Sequence, residues 1–152
     1  MQEIEVLLIE DNPDDEQLTI RALKKYNLAN RIVVVKSGTE ALEYFFGPEG
    51  SNRPSEDQIP QVILLDLRMP QIDGLEVLRR LKANDATQGI PVIVLTSSDK
   101  DIDLQECFRM GANDFITKPV NFEDFAKVLS NLNMYLLLIK NRPDNQTQEF
   151  DS

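Results

Sequence analysis

Short apolar runs alternate with amphipathic stretches along the chain, and this pattern predicts its secondary structure. The runs are rich in Val, Ile and Leu, as in strands of a sheet that is covered on both faces. They lie at residues 5–9, 32–35, 62–65, 92–95 and 114–116. Helix starts follow three of them: Asn12 as a cap before Pro13, the capping box from Ser37 to Glu40, and Asn121 in the related motif NFED.

Strand–helix alternation of this kind predicts an α/β fold with a doubly wound, five-stranded parallel sheet. The expected strand order is 2-1-3-4-5, as in flavodoxin-like folds. We expect one domain at residues 1–140, with an extended C-terminal helix at about 121–140 and a polar tail at 141–152. The segment 47–60 contains three prolines and two glycines and reads as a loop insertion exposed to solvent.

Composition narrows the classes of function. The chain has 152 residues, of which 41% are hydrophobic, and 26 acidic against 16 basic residues give a net charge of −10. This charge disfavours binding to nucleic acid or to an anionic membrane. No leader-like or membrane-spanning apolar run is seen, so we expect a cytoplasmic protein. The single cysteine, Cys107, reads as a small buried hydrophobe, and without histidine no imidazole can act as base, zinc ligand or phosphoryl donor.

Polar side chains stand where the predicted strands end. Glu10 and Asp11 follow the first strand, Asp66 the third, Thr96 the fourth and Lys118 the fifth. In an open α/β sheet, ligands bind outside the carboxyl ends of the strands, near the point where strand order reverses. We therefore expect three acids, a hydroxyl and an amine to converge at one edge.

Clustered carboxylates repel one another unless a cation joins them, and ligation by oxygen alone suits Mg²⁺, which also binds phosphate oxygens. Glu10 and Asp11 are therefore interpreted as acids of a metal site. The next two acids, Asp14 and Asp15, are expected mainly to start the first helix.

Four motifs resemble the receiver domains (CheY-like) of two-component response regulators. They are EDN after the first strand, DLRMPQIDG at 66–74, LTSSD at 95–99 and GANDFITKP at 111–119. The resemblance covers about residues 4–130. The long acidic loop before the third strand, the phrasing ILLDLRMPQIDGLEVL and ITKPVN, and the lack of an output domain resemble more narrowly the small single-domain response regulators of cyanobacterial phytochromes.

The resemblance implies a phosphoryl transfer. Asp66 would accept the phosphoryl group from the phosphohistidine of a sensor histidine kinase and form an acyl phosphate. Glu10 and Asp11, together with Asp66 and the backbone carbonyl of Arg68, would hold Mg²⁺. The chain would thus be a phosphoacceptor signalling protein that assists its own phosphorylation and dephosphorylation, and not an enzyme acting on other substrates.

The same resemblance assigns the remaining site residues. Lys118 and Thr96 would contact phosphoryl oxygens, and Pro119 would follow a cis peptide that directs the lysine. Thr96 would move toward the phosphoryl group while Phe115 rotates inward. Arg68 and Ser98 occupy the variable positions that, in the family, tune the lifetime of the phosphoryl group.

Two other classes of protein stay open. A Mg²⁺-dependent phosphatase with an aspartate nucleophile commonly has a D-x-D motif, and here Arg68 stands in place of the second acid. The other class is a receiver-fold scaffold that is not phosphorylated. A flavin- or nucleotide-binding module is disfavoured, because the turn IEDNPDD is acidic where such a module must bind an anion.

The expected partners are proteins. The resemblance implies a sensor histidine kinase, in its narrower form a phytochrome, and a downstream protein that the sequence does not identify. No output domain follows the receiver region in this sequence, so the signal would leave through a protein surface.

A homodimer through the C-terminal helix is also expected. The residues Phe122, Phe125, Ala126, Leu129 and Leu132 have the spacing to pack on the sheet. Residues 134–139 are six consecutive apolar positions, more than one helical turn, so they cannot all face the same core. We expect Tyr135 and Leu138 to contact a second copy; the alternative is that the tail folds back and covers them with Phe150.

Overall fold

The computed structural model describes residues 5–25, 31–50 and 52–132. The strands are β1 (Val6–Ile9), β2 (Ile32–Val35), β3 (Val62–Asp66), β4 (Val92–Thr96) and β5 (Asp114–Thr117). The helices are α1 (Pro13–Lys24), α2 (Gly38–Phe46), α3 (Gly74–Lys82), α4 (Leu104–Arg109) and α5 (Phe122–Asn131). The expected dimer contacts Tyr135 and Leu138 lie outside the described residues, so the dimer stays a prediction.

The five strands form one parallel sheet in the order β2-β1-β3-β4-β5, which confirms the predicted fold class and strand order. Alternate side chains of each strand enter different cores, as the period of two requires. Leu7 and Ile9 pack in the core that holds α2 and α3, whereas Val6 and Leu8 pack in the core that holds Phe125 of α5. Both faces are covered, so the central strands are apolar up to their last residues, Asp66 in β3 and Thr96 in β4.

The predicted helix caps are present, with one correction. Asn12 accepts a hydrogen bond from the backbone N–H of Asp15 at 2.9 Å, and Asn121 caps α5 in the same way. Ser37 accepts from the N–H of Glu40 at 3.0 Å, but the Glu40 carboxylate accepts from the backbone N–H of Lys36, one residue before the cap. The expected capping box is therefore only half formed, because the carboxylate reaches past Ser37.

Several boundaries also differ from the prediction by one residue: β1 begins later, at Val6, and β5 ends later, at Thr117. Strands β3 and β4 are one residue longer, so Asp66 and Thr96 are the last residues of strands and are held by the sheet ladder. The loop at 47–60 contains a short 3-10 turn at Glu56–Gln58. This turn is fastened to α2, because the Tyr44 hydroxyl donates to the Gln58 carbonyl at 2.8 Å and the Gln58 amide donates back to the Tyr44 carbonyl.

Two expectations from composition concern the single cysteine and membrane-spanning helices. Cys107 is buried in α4, where burial raises the pKa of its thiol to about 11, so it is the small buried hydrophobe that was predicted. Within residues 5–25, 31–50 and 52–132, no helix has the length and apolar character needed to cross a membrane.

Gly74 places the start of α3 directly against the end of β3. A Cβ added there would lie 2.5 Å from the backbone oxygen of Asp66 and 2.8 Å from the Cα of Leu67. Backbone atoms cannot move aside as a flexible side chain can, so we expect Gly74→Ala to lower the free energy of unfolding by about 1–3 kcal/mol. Chemical denaturation followed by circular dichroism measures this change.

Gly89 supplies the matched control, because a Cβ added there meets nothing within 4 Å. Gly89→Ala should leave the free energy of unfolding unchanged or raise it by a few tenths of a kcal/mol, since alanine restricts the unfolded chain. Equal effects of the two substitutions would show that the close approach at Gly74 has no energetic consequence.

Candidate functional site

The predicted site residues meet at the carboxyl edge of the sheet. Glu10 and Asp11 follow β1, Asp66 ends β3, Thr96 ends β4 and Lys118 follows β5. Glu10, Asp66 and Thr96 are buried, whereas Asp11 is exposed at the rim. Because the strands are parallel and adjacent, their ends deliver these groups to one place, at the reversal of strand order between β1 and β3.

The three acids form a compact cluster. One carboxylate oxygen from each of Glu10, Asp11 and Asp66 lies within 4.8 Å of the others. Burial, reinforced by the neighbouring carboxylate of Asp66, raises the pKa of Glu10 to about 8. Loss of hydration at the edge and the same neighbour raise the pKa of Asp11. In the ionised state these carboxylates repel one another, so the cluster favours a proton or a cation.

The oxygen geometry fits a divalent cation. Glu10 Oε1 is fully buried and has no hydrogen-bond partner, although it lies 3.2 Å from the Lys118 ammonium. A buried carboxylate oxygen left in this condition is costly, and coordination to a metal would satisfy it. Ligation by oxygen atoms alone is the set that Mg²⁺ prefers.

Lys118 brings a fixed positive charge to the cluster. Its Nζ lies 3.0 Å from Asp66 Oδ1, and the following peptide bond to Pro119 is cis, as the resemblance implied. Its backbone N–H donates to the Thr96 carbonyl at 2.7 Å, which ties the lysine to the end of β4. Burial would lower the pKa of Lys118, but its contacts with Asp66 and with Asp15 and Glu10 outweigh burial and raise it. The side chain is therefore charged near neutral pH.

Asp15 is a site residue that sequence reasoning missed. We expected it mainly to start α1, and its backbone N–H is indeed capped by Asn12. Its carboxylate, however, accepts from Lys118 Nζ at 3.0 Å. Asp15 thus supplies a third carboxylate to the lysine from outside the metal cluster. The sequence feature that could have indicated this role is the position of Asp15 on the first turn of α1, whose N-terminus faces the site.

Thr96 and Phe115, whose switch role stays a prediction, contact the segment after β4 and helix α4 respectively. The Thr96 hydroxyl donates to the Ser98 carbonyl at 3.0 Å and accepts from the Ser98 N–H. Phe115 is partly buried against the core and packs edge-to-face on Phe108 of α4, with 6.2 Å between ring centroids. Thr96 thus links the site to the segment that leads into α4, and Phe115 links β5 to α4 itself.

The side chain of Arg68 contacts two aspartates in the segment before α4. Its backbone N–H donates to Asp66 Oδ1 at 3.3 Å, whereas its guanidinium binds Asp101 and Asp103. A phosphatase with an aspartate nucleophile would need an acid at this position, so that alternative loses support. The expected metal contact of the Arg68 backbone carbonyl stays a prediction.

Comparison with known proteins gives a family match over most of the chain. Residues 6–130 match the model described as response regulator receiver domain. The chain is 36% identical to the probable methanogenesis regulatory protein FilR2 of Methanothrix harundinacea, covering 87% of this chain and 83% of that protein. It is 32% identical to response regulator Rcp1 of Synechocystis, covering 87% of this chain and 88% of Rcp1.

Solved structures of similar proteins agree with this match. The bacteriophytochrome response regulator AtBRR is 45% identical with a TM-score of 0.75, covering 89% of this chain and 96% of that chain. The phosphorylated cyanobacterial phytochrome response regulator RcpA is 32% identical, with a TM-score of 0.69 and coverage of 88% and 94%. The Mn²⁺-bound form of Rcp1 is 31% identical, with a TM-score of 0.66 and coverage of 88% and 94%.

Proposed function

Since this chain belongs to the family of response regulator receiver domains of two-component systems, we propose that Asp66 accepts a phosphoryl group from a sensor histidine kinase. The phosphohistidine of the kinase is the donor, and a carboxylate oxygen of Asp66 is the nucleophile that forms an acyl phosphate. The protein acts by changing its surface for a downstream protein. Labelling by a phosphorylated kinase or by acetyl phosphate in Mg²⁺, and loss of label on chelation, tests the proposal.

One observation carries this proposal: the carboxylate of Asp66 is both paired with a cation and clustered with two other acids. Lys118 Nζ lies 3.0 Å from Asp66 Oδ1, and oxygens of Glu10 and Asp11 lie within 4.8 Å of an Asp66 oxygen. A transferring phosphoryl group spreads negative charge over its oxygens, and catalysis of such transfer is mostly positioning and electrostatic stabilisation. The cluster supplies a nucleophile, metal ligands and an ammonium at one place.

Glu10, Asp11 and Asp66, with the backbone carbonyl of Arg68, would hold Mg²⁺. When bound, the cation neutralises charge on the nucleophile and on the transferring group. Support comes from the buried, unbonded Glu10 Oε1 and from the Mn²⁺-bound form of the similar protein Rcp1. Lys118 then pairs with a phosphoryl oxygen, while Asp15 retains one of the contacts of its ammonium.

Phosphorylation changes the conformation through Thr96. Its hydroxyl, which donates to the Ser98 carbonyl at 3.0 Å, turns to donate to a phosphoryl oxygen. Phe115, packed on Phe108 of α4, rotates inward as the segment before α4 moves. The phosphoryl group thereby shifts the population between two states, because only one of them offers it the Thr96 contact.

The partners follow from the same family membership. The kinase is a phytochrome in this proposal, because AtBRR and RcpA are phytochrome response regulators. The downstream partner is a protein. The proposal also includes three predictions from the sequence: a single receiver domain at residues 1–140, a cytoplasmic location, and a homodimer through Tyr135 and Leu138.

Removal of one acid from the cluster should weaken Mg²⁺ binding. Asp11→Asn deletes an exposed ligand and a negative charge without disturbing the core, so we expect Mg²⁺ affinity to fall at least about tenfold, a loss typical of removing even an outer-shell partner of a metal ligand. Labelling by acetyl phosphate at limiting Mg²⁺ should fall with it. Calorimetric titration with MgCl₂ measures the affinity.

Asp14→Asn is the matched control, because Asp14 is an exposed acid on the first turn of α1 and lies outside the cluster. It removes the same charge near the site and should change Mg²⁺ affinity much less. If the two substitutions weaken binding equally, the acids act only through the general field of the surface and Asp11 is not a ligand.

A further inference from the structure

The side chain of Arg68 is anchored to two acids that lie far along the sequence. Its Nε donates to Asp101 Oδ2 at 3.2 Å, its Nη2 contacts Asp101 Oδ1, and its Nη1 lies 2.7 Å from Asp103 Oδ2. The contact with Asp101 is bidentate, which is the strongest geometry for an arginine–carboxylate pair. The Asp101 side chain is 10% exposed and the Arg68 side chain 52% exposed, so solvent reaches the pair mainly from the arginine side.

The two acids organise the segment 97–103 between β4 and α4. The Asp101 carboxylate also accepts from the N–H of Asp103 at 2.9 Å, and the Asp101 carbonyl accepts from the N–H of Leu104, the first residue of α4. Arg68 therefore joins the loop after the phosphoacceptor to the beginning of α4.

Asp103 departs from the usual behaviour of a helix cap. It occupies the N-cap position of α4 but makes no side-chain hydrogen bond to the N–H groups of that helix. Its carboxylate contacts Arg68 instead. An aspartate at this position normally stabilises the first turn of its helix. The backbone of Asp103 has helical angles (φ −88°, ψ −1°), so its carboxylate serves the contact with Arg68 and not the cap.

The same segment engages the hydroxyl of Thr96. The Ser98 carbonyl accepts from the Thr96 hydroxyl at 3.0 Å and also from the N–H of Asp101 at 3.2 Å. The Ser98 carbonyl is therefore shared between the Thr96 hydroxyl and the backbone of Asp101, the residue whose carboxylate binds Arg68. Thr96 can donate to another oxygen only when it breaks this bond.

We propose that Arg68, Asp101 and Asp103 form an ion-pair clamp that holds the segment 97–103 in the unphosphorylated conformation, and that a phosphoryl group on Asp66 opens it. This inference rests on the proposed function. The Arg68 backbone is already bonded to Asp66 Oδ1 at 3.3 Å, so its side chain begins beside the acceptor. Phosphoryl oxygens offer a guanidinium a bidentate anionic partner and compete with the two aspartates. Arg68 is thus a positioning residue for the switch, through its side chain.

Hydrogen exchange of the amides at 98–104 tests the clamp, because these amides exchange when the segment opens. The wild-type protein is compared with and without beryllofluoride and Mg²⁺, a mimic of the phosphorylated carboxylate. We expect the mimic to speed exchange in the wild type, and Arg68→Ala to speed it about fivefold or more without the mimic, the factor that corresponds to about 1 kcal/mol. In Arg68→Ala the mimic should add little further change.

Two further variants separate the clamp from general loss of stability. Asp103→Asn keeps a residue that caps a helix well but loses the ion pair, so exchange at 98–104 should rise while α4 stays formed. Arg109→Ala removes the exposed contact between Arg109 and Glu106 on the same helix and should leave exchange at 98–104 unchanged.

The outcomes are distinguishable. Equal exchange in Arg68→Ala, Arg109→Ala and the wild type would overturn the clamp. Binding of the mimic at Asp66, seen as changed amide signals around Asp66, without faster exchange at 98–104 would overturn its opening by phosphorylation and leave the proposed function standing. Failure of the mimic to bind the wild type at Asp66 would overturn the proposed function, and the inference with it.

Discussion

We expect replacement of Asp66 by asparagine to abolish phosphoryl acceptance. The amide has nearly the shape of the carboxylate but lacks the anionic oxygen that would attack phosphorus. The substitution also removes one negative charge from the cluster of Glu10, Asp11 and Asp66. Asp66 is 3% exposed at the end of β3, so an isosteric substitution keeps the packing of the strand. Incubation with radiolabelled acetyl phosphate or a labelled histidine kinase, followed by electrophoresis, should show no incorporation above background.

Asp73→Asn is the matched control. Asp73 lies at the end of the loop that follows β3, and its carboxylate caps α3 by accepting from the N–H of Glu76 at 3.2 Å. Asparagine caps helices about as well as aspartate, so this variant should fold and incorporate label like the wild type. Full labelling of Asp66→Asn would end the phosphoacceptor assignment and leave the receiver-fold scaffold or another acceptor to be considered.

Replacement of Lys118 by alanine should produce the second large loss. The ammonium lies within 3.0–3.2 Å of oxygens on Asp66, Asp15 and Glu10. Among the ion pairs of the described residues, no other cation contacts these three acids. Loss of a fixed charge that stabilises a transferring group typically costs on the order of 100-fold in rate. We expect the rate of labelling by acetyl phosphate at saturating Mg²⁺ to fall by about this factor.

The control for Lys118 is another partly buried lysine. Lys82 donates to the backbone carbonyls of Gln88 and Ile90, each at 3.0 Å, and lies at the end of α3 away from the acids. Lys82→Ala should lower stability and leave the labelling rate of the folded protein unchanged. An unchanged rate and an unchanged conformational response in Lys118→Ala would reduce Lys118 to a structural counterion.

The sequence predicted the fold well because the sheet is buried on both faces. Strands such as β1 and β3 are continuous apolar runs, and the polar residue that ends each run, such as Asp66, marks the edge where ligands bind. Caps such as Asn12 and Asn121 are local signals, since the side chain bonds an N–H three residues ahead. Errors of one residue arose at strand ends, where the ladder continues onto Asp66 and Thr96.

The contacts that sequence reasoning missed are long-range contacts between charged side chains. Asp15 and Lys118 are 103 residues apart, and Arg68 lies 33 and 35 residues from Asp101 and Asp103. Each of these side chains, taken alone, is typical of a solvated surface or a helix start. Their pairing depends on how the strand ends and loops are arranged in space, which periodicity and capping signals do not encode.

The position of the phosphoryl group on the protein shows most directly whether Asp66 is the phosphoacceptor. An acyl phosphate is reduced by borohydride to an alcohol, whereas a free carboxylate and a phosphate ester are not, so the modified residue can be identified by peptide mass spectrometry. After treatment with acetyl phosphate and Mg²⁺, we expect one reduced residue, Asp66, and none when Mg²⁺ is chelated. Reduction at another acid, or no reduction in a protein that binds Mg²⁺, would contradict this assignment.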